Sequence, residues 1–447
     1  MNWRKVRFYH WAVWIFLFLP VFLYLSAPPE LASVGGRFGG GGLIPLWSTL
    51  SQVTGLLALT ALSLSFVLSS RFKPLELRLG GLDKMYRLHH RLGITAFVLI
   101  ILHPLLFAIR FIPERWGHFV SFWGPFHRDL SMNIAVFAFW LFIILILLTL
   151  IRKFPYNWWK QTHRLMGLVL VGAAWHMLTI PETPGRPVAH WSNATLHYYL
   201  LIMVIAGVTA YLYKWIWIPL VREKYRYQIT GINRMPSGIM TVQMNPTGKP
   251  MSYQPGQFAF ARFEQNNLSD EQHPFTICSP PGIETTNMTV KVLGDFTKKL
   301  YENLEEGTRV RLEGPYGQFN YREGSRRQLW LAGGIGVTPF VCWLHDMRIK
   351  KLSDIEVDFY YCVHNREETI YQSEIEKWSR ELPGVRFHLV CTGEEGRLKA
   401  DRIAWDENNP PEVYLCGPVQ FIRDLRAQLN RRGIREGMIH YEEFEFR

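Results

Sequence analysis

The chain has 447 residues, enough for two or three domains, and its mean hydropathy is close to zero. That mean combines long apolar runs up to about residue 220 with a later half whose interspersed charges are typical of a soluble protein. The net charge of +12 does not indicate nucleic acid, because many basic residues lie between apolar runs and no aromatic and basic recognition motif is present. Composition therefore indicates a membrane protein with a soluble portion.

The five cysteines all lie in the later half, and none forms a Cys-x-x-Cys pair. An iron–sulfur centre or a structural zinc site is not expected without a four-cysteine cluster. The odd number of cysteines also argues against a disulfide framework.

Six apolar runs are long enough to cross a hydrocarbon core as helices, which takes about 20 residues each. They cover approximately residues 8–27, 44–70, 89–111, 130–151, 162–181 and 195–218. The first run could be a cleaved signal peptide, but its proline-rich end is a poor cleavage site and favours a retained span. The predicted fold of this half is an α-helical six-span membrane bundle.

Lysine and arginine concentrate at the N-terminus, after the second and fourth spans, and where the chain leaves the sixth span. These segments lie on one side of a six-span bundle, and the positive-inside rule makes that side the cytosol. We therefore expect a multi-pass protein of the plasma (cell inner) membrane with a cytosolic N-terminus and a cytosolic C-terminal half. The opposite loops carry scattered cationic residues that could attract an anion: Arg110, Arg115, His118, His127 and Arg128.

Four histidines lie inside the predicted third and fifth spans, where ionisable groups are costly and usually functional. His89 and His103 are 14 residues apart, and His163 and His176 are 13 apart. Each step corresponds to about 20 Å of helical rise, so each helix places one imidazole towards each leaflet. Two facing histidine pairs would suit two six-coordinate haems, which pass electrons but leave no open iron site.

His90 is an alternative to His89. Aligning "HHRLG" with "HRLMG" at Gly93 and Gly167 matches His89 with His163. A 14-residue step also returns closer to the same helix face than a 13-residue step does. Both arguments favour His89.

This histidine pattern resembles that of the ferric reductase and NADPH oxidase superfamily of flavocytochromes b. The resemblance implies that His89 and His163 hold an inner haem b and that His103 and His176 hold an outer one.

From about residue 223, short alternating apolar segments between turn signals predict strands, and a strand–glycine–helix pattern follows from about residue 328. The order predicts an antiparallel β-barrel and then an α/β nucleotide-binding domain, together a ferredoxin-reductase-like cytosolic module. The expected domains are a transmembrane di-haem domain (1–221), an FAD-binding barrel (222–325) and an NAD(P)H-binding domain (326–447).

The barrel segment "HPFTICS" closely resembles the flavin motif of the oxidase family. By that resemblance the segment binds FAD through its first four residues and its last, namely His273, Pro274, Phe275, Thr276 and Ser279.

Two later segments extend the flavin-side resemblance. "VKVLGDFTKKL" places Gly294 and Thr297 at the start of a predicted helix whose N-terminus would bind the FAD pyrophosphate, with Lys291 nearby and Thr297 as a cap. "EGPYG", which contains Gly314, resembles the second flavin-side turn of the family.

The segment "LWLAGGIGVTPF" reads as a strand, a glycine turn and a helix start, which suits pyrophosphate binding. Its candidate residues are Gly333, Gly334, Gly336 and Thr338. "VYLCGP" supplies Cys416, Gly417 and Pro418, which in ferredoxin-reductase-like modules border the nicotinamide.

The C-terminus "HYEEFEFR" matches the family ending. Phe444 is the candidate for stacking near the flavin, with Phe446 as the alternative. Arg366 and Arg397 could bind a 2′-phosphate, which slightly favours NADPH while allowing NADH.

The resemblance implies an NAD(P)H oxidase or a ferric reductase, in which electrons pass from cytosolic NAD(P)H through FAD and two haems to an extracytoplasmic acceptor. Oxygen, reduced to superoxide, is the first expectation; a ferric chelate or an outer partner protein is the alternative. Animal NADPH oxidases often carry a further histidine four residues past the outer ligand, where this chain has Phe107. No protein nucleophile or base, no nucleic acid and no obligatory protein partner is expected.

Overall fold

A computed structural model describes residues 3–26, 44–112, 115–124, 126–151, 156–179, 191–218 and 225–442. Apart from short segments, the chain divides into a helical unit that ends at Arg222 and a second unit that starts at Glu223. The helices of the first unit are α1 (Trp3–Leu25), α2 (Ile44–Ser69), α3 (Lys73–Leu79), α4 (Leu82–Ala108), α5 (Trp116–Ser121), α6 (Leu130–Leu150), α7 (Tyr156–Arg164), α8 (Met166–Thr179) and α9 (Trp191–Leu212).

Within the described residues, five helices are long and apolar enough to cross a membrane. The qualifying segments are Phe8–Leu25, Thr49–Ser69, Leu82–Ala108, Leu130–Leu150 and Ala194–Trp217, which correspond to five of the six predicted spans. The remaining prediction, residues 162–181, is not one long helix. Its described part is divided between the polar end of α7 and the 14-residue α8.

The interruption at Leu165 has a local cause. The hydroxyl of Tyr211 donates to the carbonyl of Arg164 at 3.2 Å, and the N–H of Leu168 donates to Leu165 rather than continuing the regular ladder. A β-carbon at Gly167 would lie 2.6 Å from the Tyr211 ring, so a glycine is needed for that ring to approach. A side chain from α9 therefore replaces part of the helical hydrogen bonding.

Helix α4 begins at Leu82, seven residues before the predicted span. Asp83 in its first turn favours an early start, because a carboxylate stabilises the positive end of the helix dipole. His89 consequently lies two turns inside the helix instead of at its opening.

Small residues allow α2 and α9 to pack closely. A β-carbon at Gly207 would lie 3.2 Å from the Cα of Ser63, and Thr60, Ala61 and Ser63 are fully buried on α2. Such contacts are typical of membrane helices, where close backbone approach replaces the hydrophobic driving force.

The second unit begins with a six-stranded antiparallel sheet in the order β4-β3-β6-β1-β2-β5. Its strands are β1 (Tyr225–Met235), β2 (Ile239–Pro246), β3 (Phe258–Glu264), β4 (His273–Thr276), β5 (Thr286–Lys291) and β6 (Arg309–Tyr316), with α10 (Asp295–Asn303) between the last two. An antiparallel bridge between Ile277 and Met288 links the two edges, so the sheet closes into the predicted barrel.

A five-stranded sheet follows, and all its neighbouring strands are parallel. Its elements are β7 (Arg327–Gly333), α11 (Thr338–Ile349), β8 (Glu356–Val363), α12 (Gln372–Glu381), β9 (Val385–Cys391), α13 (Thr392–Glu395), β10 (Glu412–Cys416), α14 (Val419–Arg431) and β11 (Ile439–Glu442). The strand order β11-β10-β7-β8-β9 reverses direction between β7 and β10. Ligands of open α/β sheets bind at the carboxyl ends of the strands at such a reversal.

Alternate residues of β7 fill separate cores on the two faces of this sheet. Trp330 packs with Phe340 and Trp343 of α11, whereas Leu329 and Leu331 pack with the apolar face of α14. This continuous apolar strand is typical of a parallel sheet covered by helices on both sides.

A buried carboxylate, Asp346 of α11, ties the end of the barrel to the sheet domain. It accepts hydrogen bonds from the hydroxyl of Tyr321, from Arg322 and, at 2.7 Å, from Lys350. Burial raises the pKa of Asp346, but the bonds from Lys350, Tyr321 and Arg322 outweigh that effect and hold the pKa below its usual value. The ionised carboxylate is thus the form that the fold stabilises.

We predict that Asp346→Asn lowers the free energy of unfolding of the second unit by about 1–3 kcal/mol at pH 7, because three donors lose a charged acceptor. A lowered carboxyl pKa stabilises the fold fully above the unfolded value of about 4 and stops doing so as pH falls through the folded value. The difference between variant and parent should therefore shrink below about pH 4. Thermal unfolding of the intact chain in detergent, at pH values from 7 to 3, measures this difference in stability.

The matched control is Asp354→Asn, since Asp354 is exposed in the same unit. Its unfolding temperature should equal that of the parent at every pH. Equal stability of Asp346→Asn and the parent at pH 7 would contradict the role given to Asp346.

Candidate functional site

In the helical unit, the rings of His89 and His163 face each other. Their centroids lie 6.4 Å apart and the ring planes are inclined at 80°. The neighbouring His90 side chain is exposed, whereas His89 is half-buried. Of the two adjacent histidines, His89 is therefore the one that the fold pairs with His163.

Serines of α2 and α6 lie beside three of the four histidines. Nδ1 of His89 lies 2.9 Å from the carbonyl oxygen of Ser65, and Nδ1 of His103 lies 2.7 Å from that of Ser51. Nδ1 of His176 lies 3.3 Å from the hydroxyl of Ser131. Nδ1 of His163 has no hydrogen-bond partner among the described residues, and its ring stacks on Trp159.

A carbonyl can only accept a hydrogen bond, so the bonds to Ser65 and Ser51 place the proton of each imidazole on Nδ1. Nε2 then carries the free lone pair, which is the form of histidine that ligates a metal. These serines were not predicted from the sequence. Ser51 and Ser65 are 14 residues apart, as are His89 and His103, and that repeated interval is the signal that could have revealed them.

The inner pair fits one iron. A metal–imidazole bond is about 2 Å long and the ring centroid lies about 1 Å behind the nitrogen, so two rings on opposite sides of one metal have centroids about 6 Å apart. The observed 6.4 Å agrees with that separation. Within the described residues no group of three or more His, Cys, Asp or Glu could hold a bare metal ion.

His103 and His176 lie further along α4 and α8. His163 and His176 are on different helices, separated by the interruption at Leu165. The pairing of His103 with His176 stays a prediction.

In the second unit, the predicted flavin motif forms β4, an edge strand before the barrel closes. Pro274 is tolerated there because an edge strand does not need every N–H. Nε2 of His273 lies 2.7 Å from Oε2 of Glu271, and its ring stacks on Phe296 at 3.9 Å. Phe275 is half-buried and Thr276 is buried.

Ser279 differs from the other members of this motif. Its hydroxyl is buried, accepts the N–H of Asn287 at 3.0 Å and lies 3.2 Å from the hydroxyl of Tyr253. These bonds hold the turn after β4, and they make Ser279 a structural neighbour of the flavin motif.

The predicted turn before α10 has an open N-terminus. Gly294 is the N-cap, and a β-carbon there would meet nothing within 4 Å. Thr297 is the third helical residue rather than the cap, and its hydroxyl accepts the N–H groups of Leu293 and Gly294 at 2.9 and 3.1 Å. The remaining N–H groups of the first turn have no intrahelical partners and suit an anion such as pyrophosphate.

On the other flavin-side turn, a β-carbon at Gly314 would lie 3.2 Å from that of Ala259. This glycine therefore permits close packing of β6 on β3.

Two glycine-containing loops lie in close contact where the strand order of the parallel sheet reverses. A β-carbon at Gly336 would lie 2.3 Å from the carbonyl oxygen of Cys416, and one at Gly417 would lie 3.1 Å from the Cα of Gly333. Gly334 has a φ of +54° and open space around it. The loops after β7 and β10 can approach so closely only without side chains, and a nucleotide could then reach the backbone between the strand ends.

Three further side chains at this edge serve the fold in the structure. Cys416 is fully buried, and burial together with the carboxylate of Glu442 raises the pKa of its thiol well above the usual value. The hydroxyl of Thr338 donates to the carbonyl of Ile335 at 3.0 Å, and Pro418 is the N-cap of α14. The raised pKa favours the neutral form of the Cys416 thiol.

The predicted phosphate-binding cations differ in exposure. Arg366 is exposed on the turn after β8, and β8 is the strand that pairs with β7. Arg397 is exposed and lies 3.9 Å from Asp424, and Lys291 pairs with Glu368 at 3.6 Å. The predicted stacking residue Phe444 and its alternative Phe446 lie outside the described residues.

Three family models match successive parts of the chain. They are the ferric reductase like transmembrane component at residues 54–174, an FAD-binding domain at 224–320 and an oxidoreductase NAD-binding domain at 330–427. The second unit therefore carries both parts of the predicted ferredoxin-reductase-like module.

Curated relatives match part of this chain. The glycine betaine monooxygenase reductase subunit of Chromohalobacter salexigens is 27% identical over 43% of this chain and 56% of its own length. The carnitine monooxygenase reductase subunit of Escherichia coli is 29% identical over 32% of this chain and 43% of its own length. The chain spans about half the length of these relatives.

Among solved structures, the flavohaemoglobin of Malassezia yamatoensis, with bound FAD and haem, has a TM-score of 0.50 at 17% identity. The match covers 79% of this chain and 97% of that one, and at this identity it shows a shared fold alone. The chain thus has a ferric reductase-like transmembrane domain followed by FAD-binding and NAD-binding domains, an NADPH oxidase and ferric reductase-like architecture.

Proposed function

We propose that this protein moves electrons from cytosolic NAD(P)H, by way of FAD and two bis-histidine b-type haems, to an acceptor on the outer side of the plasma (cell inner) membrane. The observation that carries the proposal is the facing pair of His89 and His163, with centroids 6.4 Å apart and Nδ1 of His89 bonded to a carbonyl. Bound FAD would accept hydride and release single electrons, and the haems would relay them.

In this proposal His89 with His163 would hold one haem iron, and His103 with His176 would hold the other. The carbonyls of Ser65 and Ser51 keep Nε2 of the α4 histidines unprotonated and aimed away from α2. Imidazole ligands from two helices would suit the haem to electron transfer rather than to ligand binding.

The second unit binds and orients the nucleotides. The segment that begins at His273 and the open N-terminus of α10 serve FAD, and the two glycine-containing loops at Gly336 and Gly417 let NAD(P)H approach the backbone. The neutral, buried Cys416 thiol excludes water beside the nicotinamide site without exchanging a proton. The exposed Arg366 is available to a 2′-phosphate, which favours NADPH while NADH use is still allowed.

Oxygen, giving superoxide, is the acceptor that we propose. Phe107 lies one helical turn beyond His103, and its ring packs on Phe122 at 5.4 Å and on Phe111 at 6.3 Å. This aromatic cluster is an apolar barrier at that end of the bundle, and apolar surroundings disfavour a hydrated, charged chelate more than a small neutral molecule.

A ferric chelate is the second candidate. Arg115, His118 and Arg128 are exposed in the segment between α4 and α6 and could attract an anion. Reduction of the chelate would then occur at the protein surface. A docked partner protein would use the same surface.

We predict that the purified chain with FAD shows reduced b-type haem bands on addition of NADPH or NADH, with two haems per chain. On admission of air the bands should reoxidise, with superoxide-dismutase-sensitive reduction of cytochrome c. Haem that reduces but stays reduced in air would contradict the oxygen proposal and favour the ferric or partner acceptor. The visible spectrum and the dismutase difference measure both steps.

We predict that His89→Ala or His163→Ala lowers the haem content from two per chain towards one, because the inner iron loses an axial ligand. His90→Ala is the matched control, since the His90 side chain is exposed, and it should retain two haems. The haem-to-protein ratio from a pyridine haemochrome spectrum measures the effect. Haem loss in His90→Ala with retention in His89→Ala would reverse the ligand assignment.

We predict that Gly336→Ala slows haem reduction by NAD(P)H by up to about 100-fold, because the new β-carbon pushes apart the two loops that position the nicotinamide. Reduction by dithionite should be unchanged. Gly437→Ala is the control, as a β-carbon there meets nothing within 4 Å. Stopped-flow spectroscopy compares the rates, and an unaffected Gly336→Ala rate would show that the loops do not position the nucleotide.

A further inference from the structure

Helix α2 contacts both histidines of α4 in the same way. Ser65 meets His89 and Ser51 meets His103, and both serines are buried. The two helices run antiparallel at these contacts, because the serine that comes later in α2 meets the histidine that comes earlier in α4. The two contacts are therefore related by one interval of 14 residues on each helix.

The outer contact is reciprocal. Nδ1 of His103 lies 2.7 Å from the carbonyl oxygen of Ser51, and the Ser51 hydroxyl donates to the carbonyl of His103 at 2.8 Å. At the inner contact the Ser65 hydroxyl lies 2.8 Å from Nδ1 of His89, in addition to the carbonyl at 2.9 Å. Each serine thus presents both its backbone and its hydroxyl to the histidine residue.

Gly55 leaves space on α2 for the ring of His103. It lies one helical turn after Ser51 and hence on the same face of α2. A β-carbon at Gly55 would lie 2.7 Å from Nδ1 and 2.8 Å from Cε1 of His103. Those separations are shorter than any van der Waals contact, so the His103 ring occupies the space that a side chain at residue 55 would need.

We propose that α2 is the template that sets the ring orientation of both α4 histidines, with Gly55 and Ser51 as positioning residues for the outer pair and Ser65 for the inner pair. The inference rests on the proposed haem ligation by His89 and His103. The helix carbonyls are rigid acceptors, so they fix the plane of each ring as well as its tautomer. A hydrogen bond to Nδ1–H raises the basicity of the ligand, so its weakening should raise the midpoint potential of the haem concerned.

The test compares Gly55→Ala with Gly117→Ala, an exposed helical position in α5 where a β-carbon meets nothing within 4 Å. Alanine is a better helix former than glycine by about 1 kcal/mol, so neither change weakens its own helix. Haem content, the electron paramagnetic resonance spectrum of the oxidised protein and a potentiometric titration are recorded on the full chain. The His89→Ala variant assigns the outer-haem signal.

Gly55→Ala should shift or abolish the outer-haem signal and leave the inner one unchanged, whereas Gly117→Ala should match the parent. Gly55→Ala with both signals as in the parent would overturn the inference. If the parent binds two haems and Gly55→Ala leaves both signals unchanged, the inference fails but the proposed function stands. If the parent binds no haem, both the inference and the proposed function are overturned.

The serine hydroxyls supply a second test, which can be made even if the Gly55→Ala protein does not fold. Ser65→Ala should raise the midpoint potential of the inner haem alone, and Ser51→Ala should alter the outer haem alone, with two haems retained in each. Unchanged potentials and spectra in both variants would overturn the assignment of the Ser51 and Ser65 side chains as positioning groups.

Discussion

The bond between an imidazole Nδ1–H and a helix carbonyl is the contact on which the helical unit's proposed chemistry depends. It decides which nitrogen of His89 and of His103 keeps its lone pair, and it holds each ring in one plane against α2. A carbonyl in a packed helix cannot rotate away as a side chain can. The geometry of the proposed iron sites is thereby built into the backbone of a neighbouring helix.

Glycines make the close approaches possible at three separate places. Gly55 leaves room for the His103 ring, Gly167 leaves room for the Tyr211 ring, and Gly336 lets the loop after β7 touch the backbone at Cys416. In each case the nearest atom to an added β-carbon would lie closer than 3 Å. In both the helical unit and the second unit, a glycine thus allows a ring or a backbone segment to lie where a side chain would otherwise be.

Periodicity and motif order were sufficient to predict the helical half, the barrel and the α/β domain, because those elements follow from local apolar patterns. The pairing of His89 with His163 was also predictable, since imidazoles are costly inside apolar helices and the two helices carry them at matched spacing. The interruption at Leu165 was not, because its cause is a hydroxyl of Tyr211, 47 residues away from Arg164. The serines beside the histidines were missed because their 14-residue interval becomes informative only when it is compared with the matching interval of His89 and His103.

Two pairs of histidines are proposed to ligate one iron each, and the electron paramagnetic resonance spectrum of the oxidised, purified chain is the sharpest test of that ligation. Two low-spin ferric signals of the bis-imidazole type are expected. A high-spin ferric signal from haem in the folded chain would mean that an axial position is open, and would contradict the pairing of His89 with His163 or of His103 with His176.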